Sequence, residues 1–369
     1  MIDKIIEYSA KNRFIILLIT FFLVLWGVWA LYKIPIDAIP DLSDNQVIVY
    51  TDWEGRSPQI IEDQITYPLS SNLQGLPNVK DVRASSAFGF SMIYVIFDDN
   101  VDIYWARSRV LEKLTSIKNL LPENVTPTLG PDGTGVGQVY WYTVKGKGYD
   151  LAQLRSIQDW YIKYQLNSVS GVAEVPSIGG FIKQYQIDID PNKIYSYKIP
   201  LKKVIEAIKT SNKDVGGKII ESNDREYMIR GLGYIKSIKD IENILIDYSP
   251  NRVPIYVRDI ATVQMGGDLR RGLLDENGKG EVVGGIIVMR QGENAQKVIN
   301  DVKEKIKEIS KGLPKGVTIE TAYDRSELIK GAVNTLNNSL TEEGVVVSIV
   351  ILMFLGHVRS SFLIITTMP

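Results

Sequence analysis

The 369-residue chain is 45% hydrophobic and 23% charged, with 42 Lys and Arg against 43 Asp and Glu and a net charge of −1. Those averages exclude a disordered or collagen-like chain, and the balanced charge gives no global field to draw in nucleic acid or anionic lipid. Cysteine is absent and His357 is the only histidine, which removes disulfides, thiolate catalysis and Cys- or His-rich zinc sites and argues against a Ser-His-Asp triad.

The charge is segregated. Only Asp3, Lys4, Glu7, Lys11 and Arg13 lie before position 33, and only Arg359 lies after 343. The run Phe14 to Tyr32 carries no charge, and about 20 apolar residues span a bilayer as a helix. Lys4, Lys11 and Arg13 precede it, and Trp26, Trp29 and Tyr32 stand where an interfacial aromatic belt belongs. A cytoplasmic N-terminal helix over 1–13 and a retained transmembrane helix over 14–32 are expected. A cleaved signal peptide is the alternative, but the run is too long and no small-x-small site follows it.

The charged section from 33 to 343 reads as a duplication. Strand-like Gln46 to Tyr50 precedes Ser57-Pro58, an N-cap followed by proline at N1. Ile61, Ile65, Leu69 and Leu73 then place an apolar residue on one helix face every fourth position. Strand-like Phe90 to Phe97 follows. Asp102 caps a helix carrying Ile103, Ala106, Val110, Leu114, Ile117 and Leu121, and the tail reads Leu121-Pro122-x-x-Val125-Thr126.

The same series returns. Gln138 to Tyr142 is strand-like, and Asp150 opens a helix whose expected face is Leu151, Leu154, Ile157, Tyr161 and Tyr164. Ser57 and Asp150 set an offset of 93 residues. The second half repeats at 192: a strand over Val282 to Met289, a cap at Asn294, a helix with Val298, Val302 and Ile306, and Leu313-Pro314-x-x-Val317-Thr318. The offsets differ by 99, so the second copy carries an insertion within roughly 180 to 281, and each copy reads β-α-β-β-α-β, the ferredoxin-like unit. The insertion has its own pattern: a strand at Gln184 to Ile189, a helix from Leu201 to about Ser211, a strand at Tyr227 to Arg230, a short helix near Ile238 and strands near Ile244 and Ile255. Gly179-Gly180 and Gly266-Gly267 read as hinges.

A second apolar run, Gly344 to Gly356, leads through His357-Val358-Arg359 into a third, where the chain stops. This predicts two adjacent spans joined by a short basic turn, with a buried core helix as the alternative, and a first portion of a longer membrane protein. Basic residues at the outer ends put both termini in the cytoplasm and the large middle section outside it. The expected class is therefore α+β with transmembrane α-helices, two ferredoxin-like subdomains lying between the first and second spans.

No catalytic constellation and no cofactor-binding motif appear. Gly133-x-Gly135-x-Gly137 lacks the Lys-Ser/Thr of a phosphate loop and reads as a flexible linker. Asp41, Asp44, Asp98 and Asp99 read as solvated loop carboxylates, and Met92 and Met228 as core.

Several motifs carry a family resemblance. They are Pro35-Ile36-Asp37-Ala38-Ile39-Pro40-Asp41-Leu42-Ser43-Asp44, Tyr104-Trp105-Ala106-Arg107-Ser108-Arg109, Gly130-Pro131-Asp132-Gly133-Thr134-Gly135-Val136-Gly137 and Leu154-Arg155-x-x-Gln158-Asp159-Trp160. Arg258-Asp259-Ile260-Ala261, Arg270-Arg271-Gly272 and His357-Val358-Arg359-Ser360 complete the series. In this order the chain resembles the heavy-metal branch of the resistance-nodulation-division (RND) efflux pumps, closest to the copper/silver pumps and next to the zinc/cobalt/cadmium pumps.

The resemblance implies a proton-driven antiporter with no bound cofactor, whose cargo is a metal ion, Cu(I)/Ag(I) or Zn/Co/Cd. It implies an inner-membrane homotrimer joined to a periplasmic adaptor and an outer-membrane channel, with no nucleic-acid partner. The subdomains become a first porter (PN1-like, 33–135), a second porter (PN2-like, 136–180 and 282–330), a docking insertion (181–281), a second span with its lead-in helix (331–356) and a turn into a third span (357–369). Arg83 matches a basic residue that copper/silver pumps place at the porter cleft; a solvated strand-end arginine is the alternative reading. Leu269 falls where that subgroup has a conduit methionine, a departure because leucine cannot bind metal. Met265 and Met289 are the neighbouring conduit candidates, with core packing as the alternative reading of each; soft Cu(I) and Ag(I) prefer thioether sulfur. The family's three-methionine site and its acidic proton relay are expected beyond residue 369. Two other readings remain: an RND exporter of organic compounds, and a membrane-anchored scaffold module for which Pro369 is the natural C-terminus.

Overall fold

The structure, a computed structural model, describes residues 11–33, 37–222, 225–270, 272–358 and 361–362. Most of the expected helix over 1–13, nearly all of the expected third span, and Pro35, Ile36, Arg271, Arg359 and Ser360 of the quoted motifs lie outside the described residues.

In chain order, α1 (Arg13–Lys33) precedes β1 (Gln46–Asp52). Helix α2 (Pro58–Ile61) runs through a π-helical turn (Glu62–Thr66) into α3 (Tyr67–Leu73). Next come β2 (Val79–Ala87), β3 (Phe90–Phe97), α4 (Ile103–Ser116), β4 (Thr128–Leu129) and β5 (Gly133–Gly146). Helix α5 (Leu151–Ile157) passes through a second π-helical turn (Gln158–Ile162) into α6 (Lys163–Asn167), followed by β6 (Val172–Glu174) and β7 (Ser177–Ile178). Then follow β8 (Lys183–Ile189), α7 (Pro191–Tyr197), α8 (Leu201–Ser211), β9 (Val215–Ser222), β10 (Arg225–Gly231), α9 (Ile238–Glu242), β11 (Leu245–Tyr248), β12 (Pro254–Tyr256), α10 (Val257–Ile260) and β13 (Ala261–Gly267). The chain closes with β14 (Val283–Arg290), α11 (Ala295–Ser310), β15 (Val317–Asp324) and α12 (Arg325–Leu355).

Two compact units are present, one of Met1–Gly148, Gln158–Ile178 and Val283–Pro369, the other of Tyr149–Ile157 and Gly179–Val282. The first unit holds two sheets. One is antiparallel in the order β2-β3-β1-β4, the other runs β15-β5-β14-β6 with β7 also on β14. Both follow the element order β-α-β-β-α-β. In the first sheet Val47, Val49, Ile93 and Val95 face Ile61, Ile65, Leu69 and Leu73 from α2–α3 and Ala106, Val110 and Leu114 from α4. Each such Val, Leu or Ile side chain taken from water contributes roughly 1.5–3 kcal/mol. The cap chemistry is as read: Ser57 Oγ accepts from the Ile60 N–H, Asp102 Oδ1 from Trp105 and Asn294 Oδ1 from Lys297.

The π-helical turns correct one face. Buried residues of the α5–α6 helix are Leu154, Gln158, Ile162 and Leu166, while Tyr164 is exposed. A strict four-residue spacing overshoots the 3.6-residue α turn, and the wider π turn absorbs the excess. The core face therefore passes through Gln158 and Ile162 rather than Tyr161 and Tyr164.

Gly133, Gly135 and Gly137 also differ from expectation: they belong to β5, not to a linker. A Cβ on Gly137 would lie 2.7 Å from the Met289 carbonyl oxygen, and one on Gly133 would lie 2.6 Å from Val288 Cγ1. Gly133 and Gly137 let β14 approach where the β5–β14 register slips.

In the second unit β8 pairs antiparallel with β13, β9 with β10 and β11 with β12. Its core gathers Ile199, Val204, Ile241, Ile244, Ile246, Ile255, Val257 and Ile260. Met228 lies on the hairpin β9–β10 and is 79% exposed, so it is not core.

Among the described residues one helix, Arg325–Leu355, is long and apolar enough to cross a membrane; Phe14–Ala30 is a shorter apolar helical stretch. The second apolar run does not stand alone: its helix begins at Arg325, is 31 residues long and ends on Gly356 in the left-handed region.

Candidate functional site

Arg83 stands in mid-strand on β2, opposite Tyr94 of β3. Strand alternation turns both away from the helix-covered core. Its Nε lies 3.0 Å from Asp81 Oδ2 and its Nη1 3.4 Å from Asp44 Oδ2, with the side chain 63% exposed. On the same face the Tyr94 hydroxyl donates to Met92 Sδ at 2.7 Å. Met92 is thus half-buried on the uncovered face rather than in the core. Asp44 is a half-exposed loop carboxylate, and the fold brings it beside Arg83 of β2, 39 positions downstream.

The seam between the two sheets of this unit is built from the quoted motifs. Tyr104 Oη on α4 donates to Asp132 Oδ2 at 3.0 Å, and Arg290 Nε at the end of β14 lies 3.2 Å from the same oxygen. Arg107 Nη1 donates to the Gly130 carbonyl at 2.8 Å. Burial, the hydrogen bond to Asp132 and its charge all push the Tyr104 phenol above its ordinary value.

A second cluster sits where α12 begins. Arg325 is 4% exposed. Its Nη1 donates to Asp37 Oδ2 at 3.1 Å, and its Nη2 to the Val136 and Gln138 carbonyls of β5 at 2.6 and 3.0 Å. Asp324 caps α12 through the Ser326 N–H and pairs with Lys303 of α11. Burial alone would raise the Asp324 carboxyl, but hydrogen bonds from Lys303 and Ser326 outweigh it and hold it below the ordinary range. Asp41 behaves alike: burial raises it, while hydrogen bonds from Ser43 and Thr134 and the Arg325 charge bring it down.

The conduit candidates fall in different units. Met265 lies on β13 opposite Tyr185 and is 50% exposed, and Leu269 is 82% exposed; both belong to the second unit. Met289 belongs to the first unit, on β14, and is 8% exposed in the core. Near Leu269, Arg270 Nη2 donates to Glu281 Oε1 at 2.6 Å and its guanidinium stacks 4.6 Å above the Phe181 ring. That motif fastens the two chain segments leading into and out of the insertion. Among the described residues no group of three or more His, Asp or Glu is arranged to hold a metal ion. The first unit offers an open sheet face carrying guanidinium, phenol, thioether and carboxylate groups, and two polar fasteners.

The sequence pattern of the AcrB/AcrD/AcrF family matches residues 5–369. The cation efflux system protein CusA of Escherichia coli (strain K12) is 47% identical over 371 aligned residues, covering 100% of this chain and 35% of that protein. The cobalt-zinc-cadmium resistance protein CzcA of Cupriavidus metallidurans is 38% identical over 378, again covering 100% of this chain and 35% of that protein. A crystal structure of a heavy metal efflux pump superposes with a TM-score of 0.87 at 31% identity, covering 98% of this chain and 36% of that one. The chain thus spans about a third of the length of the relatives it matches.

Proposed function

The chain belongs to the AcrB/AcrD/AcrF family, and on that footing we propose that it works as part of a transporter exporting heavy-metal cations rather than as an enzyme. The observation that carries this is the 47% identity to a cation efflux protein along the whole chain. The TM-score of 0.87 against a heavy metal efflux pump supports it.

In this reading the two sheets, each ordered with its last strand beside its first, are ferredoxin-like porter subdomains over 33–135 and over 136–180 with 282–330. Residues 181–281 form a docking insertion. Helices over 14–32 and 331–356 cross the inner membrane and leave the sheets in the periplasm. The working assembly is a homotrimer joined to a periplasmic adaptor and an outer-membrane channel, driven by the proton motive force. Cu(I) or Ag(I) is the favoured cargo, since identity to CusA exceeds identity to CzcA, 47% against 38%. Leu269 is the departure that weighs against the copper/silver cargo, because leucine cannot bind metal.

The test is survival of a strain lacking the gene on copper, silver, zinc and organic drugs, with and without the gene restored. Sensitivity to copper and silver that the gene reverses is expected. Sensitivity to drugs alone would overturn the metal reading.

A further inference from the structure

Chain connectivity assigns residues 37–45 to the first sheet, because they run directly into β1. Their bonds divide differently. Asp37 is held by Arg325, which also donates to two carbonyls of β5. Asp41 Oδ2 accepts from Thr134 Oγ1 of β5 at 2.8 Å. The start of the segment is therefore fastened to the second sheet and to the first turn of α12.

Its end is fastened elsewhere. Asp44 meets Arg83 of β2. Asn45 Nδ2 donates to the Asp98 and Val101 carbonyls at 3.1 and 2.7 Å, and its carbonyl accepts from the Phe97 N–H at 2.8 Å. Leu42, 89% exposed, lies within the turn that the Ser43 N–H closes on Asp41 Oδ1 at 3.0 Å, so the first set of anchors ends at Ser43 and the second begins at Asp44. The anchors are unequal: the Arg325 and Asp37 side chains are 5% and 23% exposed, those of Arg83 and Asp44 63% and 46%. A desolvated guanidinium with several acceptors resists opening far more than a screened surface pair.

We propose that residues 37–45 are a strap across the seam between the two sheets, whose start rides with the second sheet and α12 through Asp37–Arg325 and which flexes between Ser43 and Asp44. Displacement at Asp37 then reaches the second sheet first, against the order of the chain, and moves together with displacement at the start of α12. Arg325 is a positioning residue: it acts by joining these elements. The inference holds whether or not the chain carries metal.

The absence of native cysteine allows clean spin-label pairs in the full chain, reconstituted in lipid nanodiscs. One pair joins Ile39 to Glu308 on α11, which packs on the second sheet; the other joins Ile39 to Glu112 on α4. By electron–electron resonance the Ile39–Glu308 distribution is expected to be the narrower. Asp37→Asn and Arg325→Met are each expected to widen it at least twofold and to leave the Ile39–Glu112 width within a quarter of its value. The wild-type comparison needs no variant to fold, and Asp37→Asn keeps the shape of the side chain should Arg325→Met fail. A narrower Ile39–Glu112 distribution in the wild type, or an unchanged Ile39–Glu308 width in folded Asp37→Asn, overturns the strap.

Discussion

Tyr142 donates its hydroxyl hydrogen to Oε1 of Gln158 at 3.0 Å, and Gln158 passes an amide hydrogen to Ser177 Oγ at 3.2 Å. Both Tyr142 and Gln158 are buried, at 1% and 0% exposure. Gly285 makes the space, since a Cβ there would collide with the Tyr142 hydroxyl. At the repeat offset, Gln158 occupies the position that Ile65 fills in the first copy, so the second copy replaced an apolar contact with a polar chain. Burial, only partly offset by the Gln158 hydrogen bond, drives the phenol far above its ordinary value.

Gln158→Leu restores the side-chain character of the first copy but strands the Tyr142 hydroxyl. A buried unsatisfied hydroxyl costs about 1–3 kcal/mol. Denaturation of the purified chain in detergent is expected to show that loss for Gln158→Leu and a recovery of most of it in Gln158→Leu/Tyr142→Phe. A double variant no more stable than the single one would show that the bond is not what stabilises this core.

The glycines of β5 give a contrast within five residues of chain. A Cβ on Gly137 would press on the Met289 backbone carbonyl, which cannot swing aside, whereas Gly135 has nothing within 4 Å. Gly137→Ala is expected to lower stability by about 1–3 kcal/mol, and Gly135→Ala to change it by less than about 0.5 kcal/mol. Equal effects in thermal melts would return this segment to the status of a linker.

What sequence reasoning reached and missed follows from locality. Caps at Ser57, Asp102 and Asn294 were legible because the acceptor and its N–H lie three residues apart. Helix Leu201–Ser211 was legible because its apolar positions recur with the helical period. The π-helical turns were not read, although the fourfold spacing of Ile61, Ile65, Leu69 and Leu73 carried the signal. Gly133 to Gly137 were misread because the strand that needs them close, β14, arrives far downstream. Arg325 and Asp37 are separated by 288 positions, and no periodicity links them. Strand β9 was missed although its hairpin partner β10 was read; Gly216 and Gly217 interrupt its apolar run and favour a turn.

Asp41 and Asp324 make the strap and the start of α12 sensitive to acid. Both carboxyls are held below the ordinary aspartate value of 3.8 in the fold. A folded value below the unfolded one adds stability above the unfolded value and loses it as pH falls through the folded one. Stability is therefore expected to be flat down to about pH 5 and to decline below it. Asp324→Asn keeps a good N-cap but gives up the Lys303 pairing, so its acid limb should be shallower. A variant with the wild-type slope below pH 4 would show that Asp324 contributes nothing to it.

Arg83 tests whether the open face of the first sheet does more than complete the fold. Its partners Asp44 and Asp81 are about half exposed and its own side chain is 63% exposed, and ion pairs of that kind contribute about 0–1 kcal/mol. Arg83→Ala is therefore expected to leave the melting transition nearly unchanged. If the face lines the path of a cation, the same substitution removes the charge that balances Asp44 and Asp81 and leaves a net negative patch beside the Met92 thioether. Such a patch binds a passing cation more tightly and releases it more slowly, so survival on copper or silver is expected to fall while expression and stability hold. Arg83→Lys, which keeps the charge and loses the forked geometry, should restore most of that survival. A fall in survival matched by an equal fall in folded protein would mark Arg83 as a structural residue only.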